Sequence, residues 1–258
     1  MTITVLLENT TRSQDVAAEH GLSLCVETNR RRVLFDMGQT DLFARNAEAL
    51  GIDLSTVDTA ILSHGHYDHG GGLPVFLSRN QTSPVYLSRH AFGRYFNGAN
   101  KYIGLDPTLR EHPRLIYTQE DVDLGDGLTL CAETPLPTVC DPGTFGLTAE
   151  VDGTRIPDPF CHEQYLLVRE GNRRILFSGC SHRGILNIVD RFRPDVLVGG
   201  FHVSKMPTDS TLSALAQKLA AYSTDFYTCH CTGLPQLAHM ARFMPRLHAI
   251  ATGDSLNL

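Results

Sequence analysis

The sequence has 258 residues, of which 42% are hydrophobic, and a formal net charge of -6 at pH 7 with a pI near 6.0. This length and composition supply enough apolar residues for the core of an ordinary soluble globular protein. The acidic balance argues against nucleic acid as a main partner, because binding to phosphate backbones requires a basic surface.

Neither the first residues nor the cysteines point to export. The first residues, MTITVLLENT, lack the basic segment and long apolar run of a secretory signal, and no stretch of about 18 apolar residues occurs. We therefore predict a cytoplasmic protein without a membrane partner. The seven cysteines are irregularly spaced and form no CxxC pair, so reduced thiols are expected rather than a disulfide framework.

Two segments have the pattern of a β-hairpin, with apolar runs on both sides of a polar turn. They are LSLCVETNRRRVLFDMG (22–38) and QYLLVREGNRRILFSGC (164–180). An offset of 142 residues matches Leu24 with Leu166 and Leu34 with Leu176. The match predicts two similar halves, and a chance likeness between two hairpins of similar composition is the alternative.

The remaining pattern alternates strands with helices. Predicted helices cover 41–51, 183–192, 209–222 and 234–244, and predicted strands cover 57–64, 194–202, 225–231 and 247–253. This alternation predicts an α/β fold with helices on the sheet faces. Two long connections, 88–114 and 134–160, show little regular pattern and are predicted to be lids or binding loops.

Histidines follow four of the predicted strands. His64, His182, His202 and His230 each lie at the carboxyl end of a different strand. In α/β sheets this edge is where ligands bind. We therefore expect these four side chains to share a site.

The stretch LSHGHYDHGGGL (62–73) carries the clearest chemical signal. His64, His66, Asp68 and His69 form the pattern H-x-H-x-D-H directly after a predicted strand. Imidazole nitrogens and carboxylate oxygens are the ligand set that suits zinc, iron or manganese. The stretch therefore predicts a metal site, and a polar surface loop with coincidental histidines is the alternative.

With this motif the sequence resembles the metallo-β-lactamase-fold superfamily. The motifs GLS (21–23), DPF followed by EQ (158–164), SGCSHRGILN (178–187), GGFH (199–202) and CHCTG (229–233) most resemble the group named for 7,8-dihydropterin-6-methyl-4-(β-D-ribofuranosyl)aminobenzene-5'-phosphate synthase. The resemblance implies a four-layered αββα sandwich, built from two similar halves, with residues 1–258 forming one domain. It also implies two divalent metal ions at one edge of the sheets, with zinc expected and manganese or iron as alternatives.

The resemblance distributes the ligands between the two metals. It implies that His64 and His66 bind the first metal, and that Asp68, His69 and His230 bind the second. Their positions match the superfamily motif and its last histidine.

The last ligand is harder to assign, because the hairpin ends in Cys180 where the superfamily has a bridging aspartate. We favour His182, which belongs to SGCSH, and keep His162 as the alternative. Cys180 is either a thiolate ligand or a small buried residue. The missing carboxylate predicts a weak second metal, or a centre with one metal only.

Further residues are candidates for contact with the substrate. His202 lies on the ligand edge and is expected to contact substrate or transfer a proton. Ser181, Arg183 and Gly184 precede a helix and could hold an anionic group, with an ordinary helix cap as the alternative. Lys205 faces either such an anion or solvent.

Other residues receive structural interpretations. Cys229 and Cys231 flank His230 in a predicted strand, so both are expected to point into the core. Asp36 is expected to support the metal loops without binding metal. The remaining histidines lack a motif and are interpreted as structural or surface residues: His20, His90, His112, His239 and His248.

The ligand set and the resemblance together predict a hydrolase that uses metal-activated hydroxide on a phosphorylated, ester or lactone small molecule. Asp68 and His202 are the candidate catalytic residues. One alternative is a synthase-like transferase that releases pyrophosphate, and another is a metal-binding sensor without turnover. The expected partner is an anionic small molecule, and a homo-oligomer is left open.

Overall fold

In the computed structural model, residues 1–132 and 136–258 are described. The first half contains, in chain order, β1 (Thr2–Leu7), β2 (Ser23–Glu27), β3 (Arg32–Phe35), α1 (Leu42–Ala49), β4 (Thr59–Ile61), α2 (Tyr67–Gly70), α3 (Leu73–Arg79), β5 (Val85–Ser88), β6 (Arg94–Asn97), β7 (Lys101–Tyr102) and β8 (Leu115–Thr118). Short 3-10 helices lie at Leu54–Thr56 and Pro107–Leu109.

The second half contains β9 (Val122–Gly125), β10 (Leu128–Ala132), β11 (Leu147–Val151), β12 (Thr154–Pro157), β13 (Gln164–Glu170), β14 (Arg173–Ser178), α4 (Ile185–Phe192), β15 (Val196–Gly199), α5 (Ser210–Ala220), β16 (Asp225–Thr228), α6 (Leu234–Met240), β17 (Leu247–Ala249) and β18 (Ser255–Asn257). A 3-10 turn, His230–Thr232, follows β16. No helix in the described ranges has the length and apolar character needed to cross a membrane.

Two seven-stranded sheets form the centre of the sandwich. Their strand orders are β18-β1-β2-β3-β4-β5-β8 and β17-β16-β15-β14-β13-β10-β9. Apolar side chains from both sheets share one core, in which Phe35 and Phe177 are fully buried with ring centroids 5.8 Å apart. Complete burial of an aromatic side chain of this kind stabilises a fold by about 1.5–3 kcal/mol.

Helices cover the outer face of each sheet. Side chains of α1 and α3 pack with the first sheet, and those of α4, α5 and α6 pack with the second. The predicted α/β fold, a four-layered αββα sandwich, is therefore confirmed.

The two predicted hairpins have the same strand register. Leu24 pairs with Phe35 in the first, and Leu166 pairs with Phe177 in the second, at the predicted offset. Each hairpin then continues into a parallel strand, β4 or β15. The equal register and equal continuation support the interpretation of two similar halves.

The two long connections are more regular than predicted. Within 88–114 and the described part of 134–160, β6, β7, β11 and β12 form a third sheet of order β12-β11-β6-β7. Thr148 pairs with Phe96, and the Arg155 guanidinium lies 3.1 Å from the centroid of the Phe96 ring. The prediction of irregular loops was wrong because these strands pair across about 50 residues, which local periodicity does not reveal. Residues 134 and 135 of that prediction lie outside the described residues.

The carboxyl ends of four strands carry the predicted histidines. Strands β4, β14, β15 and β16 end at Ile61, Ser178, Gly199 and Thr228, two to four residues before each histidine. The last of these strands is shorter than predicted, because the chain turns into the 3-10 helix at His230, whose φ is 51°. The strand ends therefore place the histidines on one edge of the sandwich.

Candidate metal centre

The first group of converging side chains consists of His64, His66 and His182. One ring nitrogen of each lies within 4.8 Å of the other two, and all three residues are buried. His64 Nε2 and His182 Nε2 are 3.3 Å apart. His66 Nε2 is buried and has no hydrogen-bond partner in the described parts of the chain. An unpaired buried imidazole nitrogen costs free energy unless a ligand satisfies it.

The second group consists of Asp68, His69 and His230. His69 Nε2 lies 3.2 Å from His230 Nε2, and Asp68 Oδ2 lies 3.5 Å from His230 Nε2 and 4.0 Å from His69 Nε2. These residues come from helix α2 and from the turn after β16, which are 161 residues apart. The fold thus brings together the ligands predicted for the second metal.

One pair of nitrogens in each group has the separation that a tetrahedral metal ion requires. Zinc–imidazole bonds of 2.0–2.1 Å place two ligand nitrogens about 3.3 Å apart. The His64–His182 and His69–His230 nitrogen pairs have separations of 3.3 and 3.2 Å. The donor set, imidazoles with one carboxylate, is also the set that suits zinc, iron or manganese.

Hydrogen bonds fix the ring orientation of three of these histidines. His69 Nδ1 lies 2.6 Å from Asp36 Oδ2, His64 Nδ1 lies 2.8 Å from Ser63 Oγ, and His230 Nδ1 lies 2.8 Å from Asn9 Oδ1. Asn9 Oδ1 also accepts the Gly21 N–H, which agrees with its role as an acceptor. Each Nδ1 therefore donates to its partner, which directs Nε2 toward the site. Burial lowers the pKa of His69, but the carboxylates of Asp36 and Asp68 outweigh it and raise that pKa to about 9, so a metal ion would displace the Nε2 proton of this histidine.

Asp36 connects the supports of both groups. It is fully buried and accepts hydrogen bonds from the Ser63 N–H, the Ser63 hydroxyl and His69 Nδ1. The Ser63 hydroxyl donates to Asp36 and so accepts from His64. Asp36 thus supports the metal loops as expected, and its carboxylate holds one histidine of each group.

Close backbone approach at Gly179 allows this packing. A Cβ atom at Gly179 would lie 2.1 Å from Ser63 Oγ and 3.0 Å from His64 Nδ1. Only glycine lets the end of β14 pass beside the first histidine of the motif.

Burial keeps the first group neutral. Desolvation, together with repulsion between neighbouring histidines, holds the pKa of His64, His66 and His182 well below the usual range. Burial raises the pKa of the Asp68 carboxyl, but hydrogen bonds from His20 and His230 outweigh it and hold that pKa well below the usual range. Neutral imidazole and ionised carboxylate are the forms that bind metal.

His182 is better placed than His162 as the last ligand. His162 Nδ1 accepts the Gly65 N–H at 3.0 Å, and His162 Nε2 lies 3.2 Å from Asp158 Oδ2. Both of its nitrogens therefore have protein partners, although His66, Asp158 and His162 also converge within 4.8 Å. His182 instead directs Nε2 toward His64.

Cys180 lies between the two groups. Its Sγ is 3.2 Å from His69 Nε2 and within 4.8 Å of a ring nitrogen of His64. It thus contacts one histidine from each group, which is the place of a bridging ligand. Burial raises the pKa of the Cys180 thiol, and coordination to a metal would deprotonate it.

Two residues near the centre were missed by sequence reasoning. His20, interpreted as structural or surface, has its Nε2 3.1 Å from Asp68 Oδ2 and its ring 4.8 Å from that of His230. Cys231, predicted to point into the core, instead converges with Cys180 and His202 within 4.8 Å, because β16 ends before it. Cys229 does lie in the core, as predicted. The GLS motif (21–23), which directly follows His20, was the sequence signal that could have identified His20 as part of the site.

A cavity of about 310 Å³ opens beside the first group. His182, His202, Ser181 and Gly184 line it. The His202 ring lies 4.1 Å from the His182 ring, and its Nδ1 is buried without a hydrogen-bond partner among the residues that the structure describes. His202 therefore stands where the cavity meets the candidate metal ligands.

The other two substrate-binding candidates lie outside the cavity lining. Lys205 Nζ is 3.0 Å from the Phe145 carbonyl oxygen and 3.5 Å from Asn97 Oδ1. The backbone N–H groups of His182 and Arg183 donate to the buried carboxylate of Glu163, at 2.6 and 2.9 Å. A carboxylate of the protein therefore occupies the Arg183 N–H, one of the groups expected to hold a substrate anion.

Comparison with solved structures supports the fold. The chain superposes on Tm1679, described as a metal-dependent hydrolase of the beta-lactamase superfamily, with a TM-score of 0.86 and 30% identity, covering 100% of this chain and 99% of the other.

Two proteins of Methanocaldococcus jannaschii are similar in sequence. The uncharacterized protein MJ0448 is 28% identical over 249 residues, or 93% of this chain and 94% of its own. The 7,8-dihydropterin-6-methyl-4-(beta-D-ribofuranosyl)-aminobenzene-5'-phosphate synthase is 25% identical over 240 residues, or 84% and 82%. The sequence-family model of the metallo-beta-lactamase superfamily matches residues 18–223 of this chain. The chain therefore belongs to the metallo-beta-lactamase superfamily.

Proposed function

We propose that the protein is a metal-dependent hydrolase of small molecules with two metal sites. His64, His66 and His182 would hold one ion, and Asp68, His69 and His230 would hold the other. The observation that carries the proposal is the convergence of both groups at distances that suit zinc, next to an open cavity. The relative Tm1679, described as a metal-dependent hydrolase, supports it.

A divalent ion held there would lower the pKa of a bound water molecule and polarise a carbonyl or phosphoryl oxygen. The chain's own groups orient the reaction around this chemistry. Asp68, whose carboxylate stays ionised, is placed to accept a proton from water, although hydrogen bonds from His20 and His230 lower its basicity. His202, at the mouth of the cavity, is placed to transfer a proton to a leaving group.

Cys180 is the proposed bridging residue. Its Sγ lies beside His69 and near His64, where the superfamily has an aspartate. A thiolate supplies the negative charge that two neighbouring cations need. With the Cys180 thiolate in this position, a second ion could bind although the aspartate of the superfamily is missing.

A synthase-like transferase that releases pyrophosphate is the second candidate, supported by the 25% identity with the dihydropterin synthase. Departure of pyrophosphate is favoured by cationic groups around its negatively charged oxygens. In the cavity lining, Lys218 is the one lysine or arginine. A sensor without turnover is disfavoured, because the cavity opens directly beside His182 and His202.

The activity test uses metal-loaded protein and four substrate classes: carboxylic esters, lactones, phosphodiesters and pterin diphosphates. Hydrolysis that falls at least 100-fold in His66→Ala and is unchanged in His248→Ala, which alters an exposed histidine, would support the proposal. Release of pyrophosphate from a pterin diphosphate only when an aromatic acceptor is added, with a new bond from the pterin methylene carbon to that ring, would favour the transferase. No turnover of any class by protein that carries metal would contradict both.

A further inference from the structure

The cavity beside the candidate metal centre is mainly apolar. Its walls come from four segments: residues 140–145, the start of α4, the loop after β15, and one face of α5. The apolar lining residues are Pro142, Phe145, Ile185, Leu186, Phe201, Val203, Met206, Ala214 and Leu215. A volume of about 310 Å³ is in the range of sites for small molecules.

Charged groups are few and lie at the rim. Among the described residues of the lining, Asp141 and Lys218 are the charged ones apart from the two histidines, and both are exposed. The backbone N–H groups of His182 and Arg183, which could have bound an anion, donate to Glu163. The interior therefore offers apolar contact and little to compensate a phosphate charge.

The walls of the cavity are held in place by hydrogen bonds. The Asn187 side chain accepts the Val139 and Cys140 N–H groups at 2.9 Å and donates to the Cys140 and Arg183 carbonyl oxygens. Phe145 contacts the His202 ring edge-to-face, with centroids 5.4 Å apart. A wall fixed in this way keeps the cavity open without a ligand, so binding requires little rearrangement.

We propose that this cavity binds the apolar acyl part of a carboxylic ester substrate, lactones included. This inference rests on the proposed hydrolase function and narrows its substrate class. The ester carbonyl would lie at the cavity mouth between His182 and His202, with the acyl chain between α4 and α5. Water adds to the carbonyl carbon, the bond from that carbon to the alkoxy oxygen breaks, and the alkoxy oxygen takes a proton, giving a carboxylic acid and an alcohol.

Burial of each methylene predicts a gain in affinity of about fourfold until the cavity is full. Calorimetric titration with butanoate, hexanoate and octanoate isolates this effect, because the carboxylate is common to all three. We expect Kd to fall about fifteenfold for two added methylenes. Ala214→Trp, at an exposed position on α5 that lines the cavity, should fill the cavity and remove the dependence of Kd on chain length. Gln217→Trp, on the same helix but outside the lining, should leave that dependence intact.

A Kd that does not change with chain length, or a dependence that both variants remove equally, would overturn the inference. The p-nitrophenyl esters of the same acids are then assayed with metal-loaded protein. Hydrolysis of these esters with the same dependence on chain length supports the inference that the cavity binds the acyl chain. Hydrolysis of phosphodiesters but not of esters overturns the substrate class and leaves the hydrolase function standing. Chain-length-dependent binding without turnover of any substrate supports the acyl cavity and contradicts the hydrolase function.

Discussion

Asp36 Oδ2 lies 2.6 Å from His69 Nδ1, and neither side chain is accessible to solvent. The same carboxylate accepts the hydroxyl of Ser63, which in turn contacts His64. One residue that faces away from the metal positions thus orients a histidine in each group. Such supporting carboxylates raise the basicity of the ligand and fix its ring.

Asp36→Asn is expected to lower metal affinity by about 10- to 100-fold, because the amide is a weaker acceptor and cannot hold both histidines equally. Competition with a chromophoric chelator measures the change. Asp123→Asn, at an exposed position on β9, is the matched control and should bind metal as the wild type does. Equal affinities for both variants would show that Asp36 does not support the ligands.

Removal of the metal should destabilise the protein. Ions that bind only the folded state add about 4 kcal/mol when their concentration is a thousandfold above Kd. For a chain of this size, chelation is then expected to lower Tm by about 10 °C. Differential scanning calorimetry with and without EDTA measures it. His66→Ala should respond less than His248→Ala, and an equal response of both variants would argue against His66 as a ligand.

The metal-free protein should lose stability in mild acid. Burial holds the pKa of His64, His66 and His182 below the value of about 6.5 in the unfolded chain. Below about pH 6.5 the unfolded state therefore binds more protons than the folded state. The free energy of unfolding is not reduced by these three histidines above that pH, and it decreases as pH falls below it.

Burial lowers the pKa of His69, but the carboxylates of Asp36 and Asp68 outweigh it and raise that pKa to about 9, so this histidine adds an opposite slope above about pH 6.5. Urea unfolding of chelator-treated protein between about pH 6 and 5, where His69 is largely protonated in both states, measures the slope of the other three histidines. His66→Asn should reduce it, and an unchanged slope would contradict the assignment.

Glu163 anchors the loop that carries His182. Its buried carboxylate accepts the N–H groups of His182 and Arg183 and the hydroxyl of Tyr165. Glu163→Gln replaces one carboxylate oxygen with an NH2 group, which cannot accept the hydrogen bonds that these donors make. The substitution should lower the free energy of unfolding by about 1.5–3 kcal/mol. Urea unfolding measures it, with the exposed Glu120→Gln as control. A loss in Glu163→Gln no larger than in the control would show that these bonds contribute little.

The sequence predicted the two hairpins, the alternation of strands and helices from 183 to 253, and the strand ends that carry His64, His182, His202 and His230. These features follow from local periodicity and from the rule that ligands bind at carboxyl ends of strands. The common offset of the hairpins corresponds to an equal strand register in the structure, since Leu24–Phe35 and Leu166–Phe177 pair alike.

Other features depend on contacts that the sequence does not encode locally. The third sheet pairs β6 with β11, two short strands from distant loops. Cys231 turns toward the site because the chain leaves the strand at Thr228 and His230 takes a left-handed conformation, which breaks the alternation assumed for a strand. His20 reaches Asp68 only through the folded path of the segment before β2.

Metal analysis of protein purified without chelators tests the central claim most directly, with wild type compared to His182→Ala and His162→Ala. The proposed centre predicts about two metal equivalents in the wild type, a loss of about one in His182→Ala, and no loss in His162→Ala. Loss in His162→Ala alone, or no loss in either variant, would contradict the proposed ligand set.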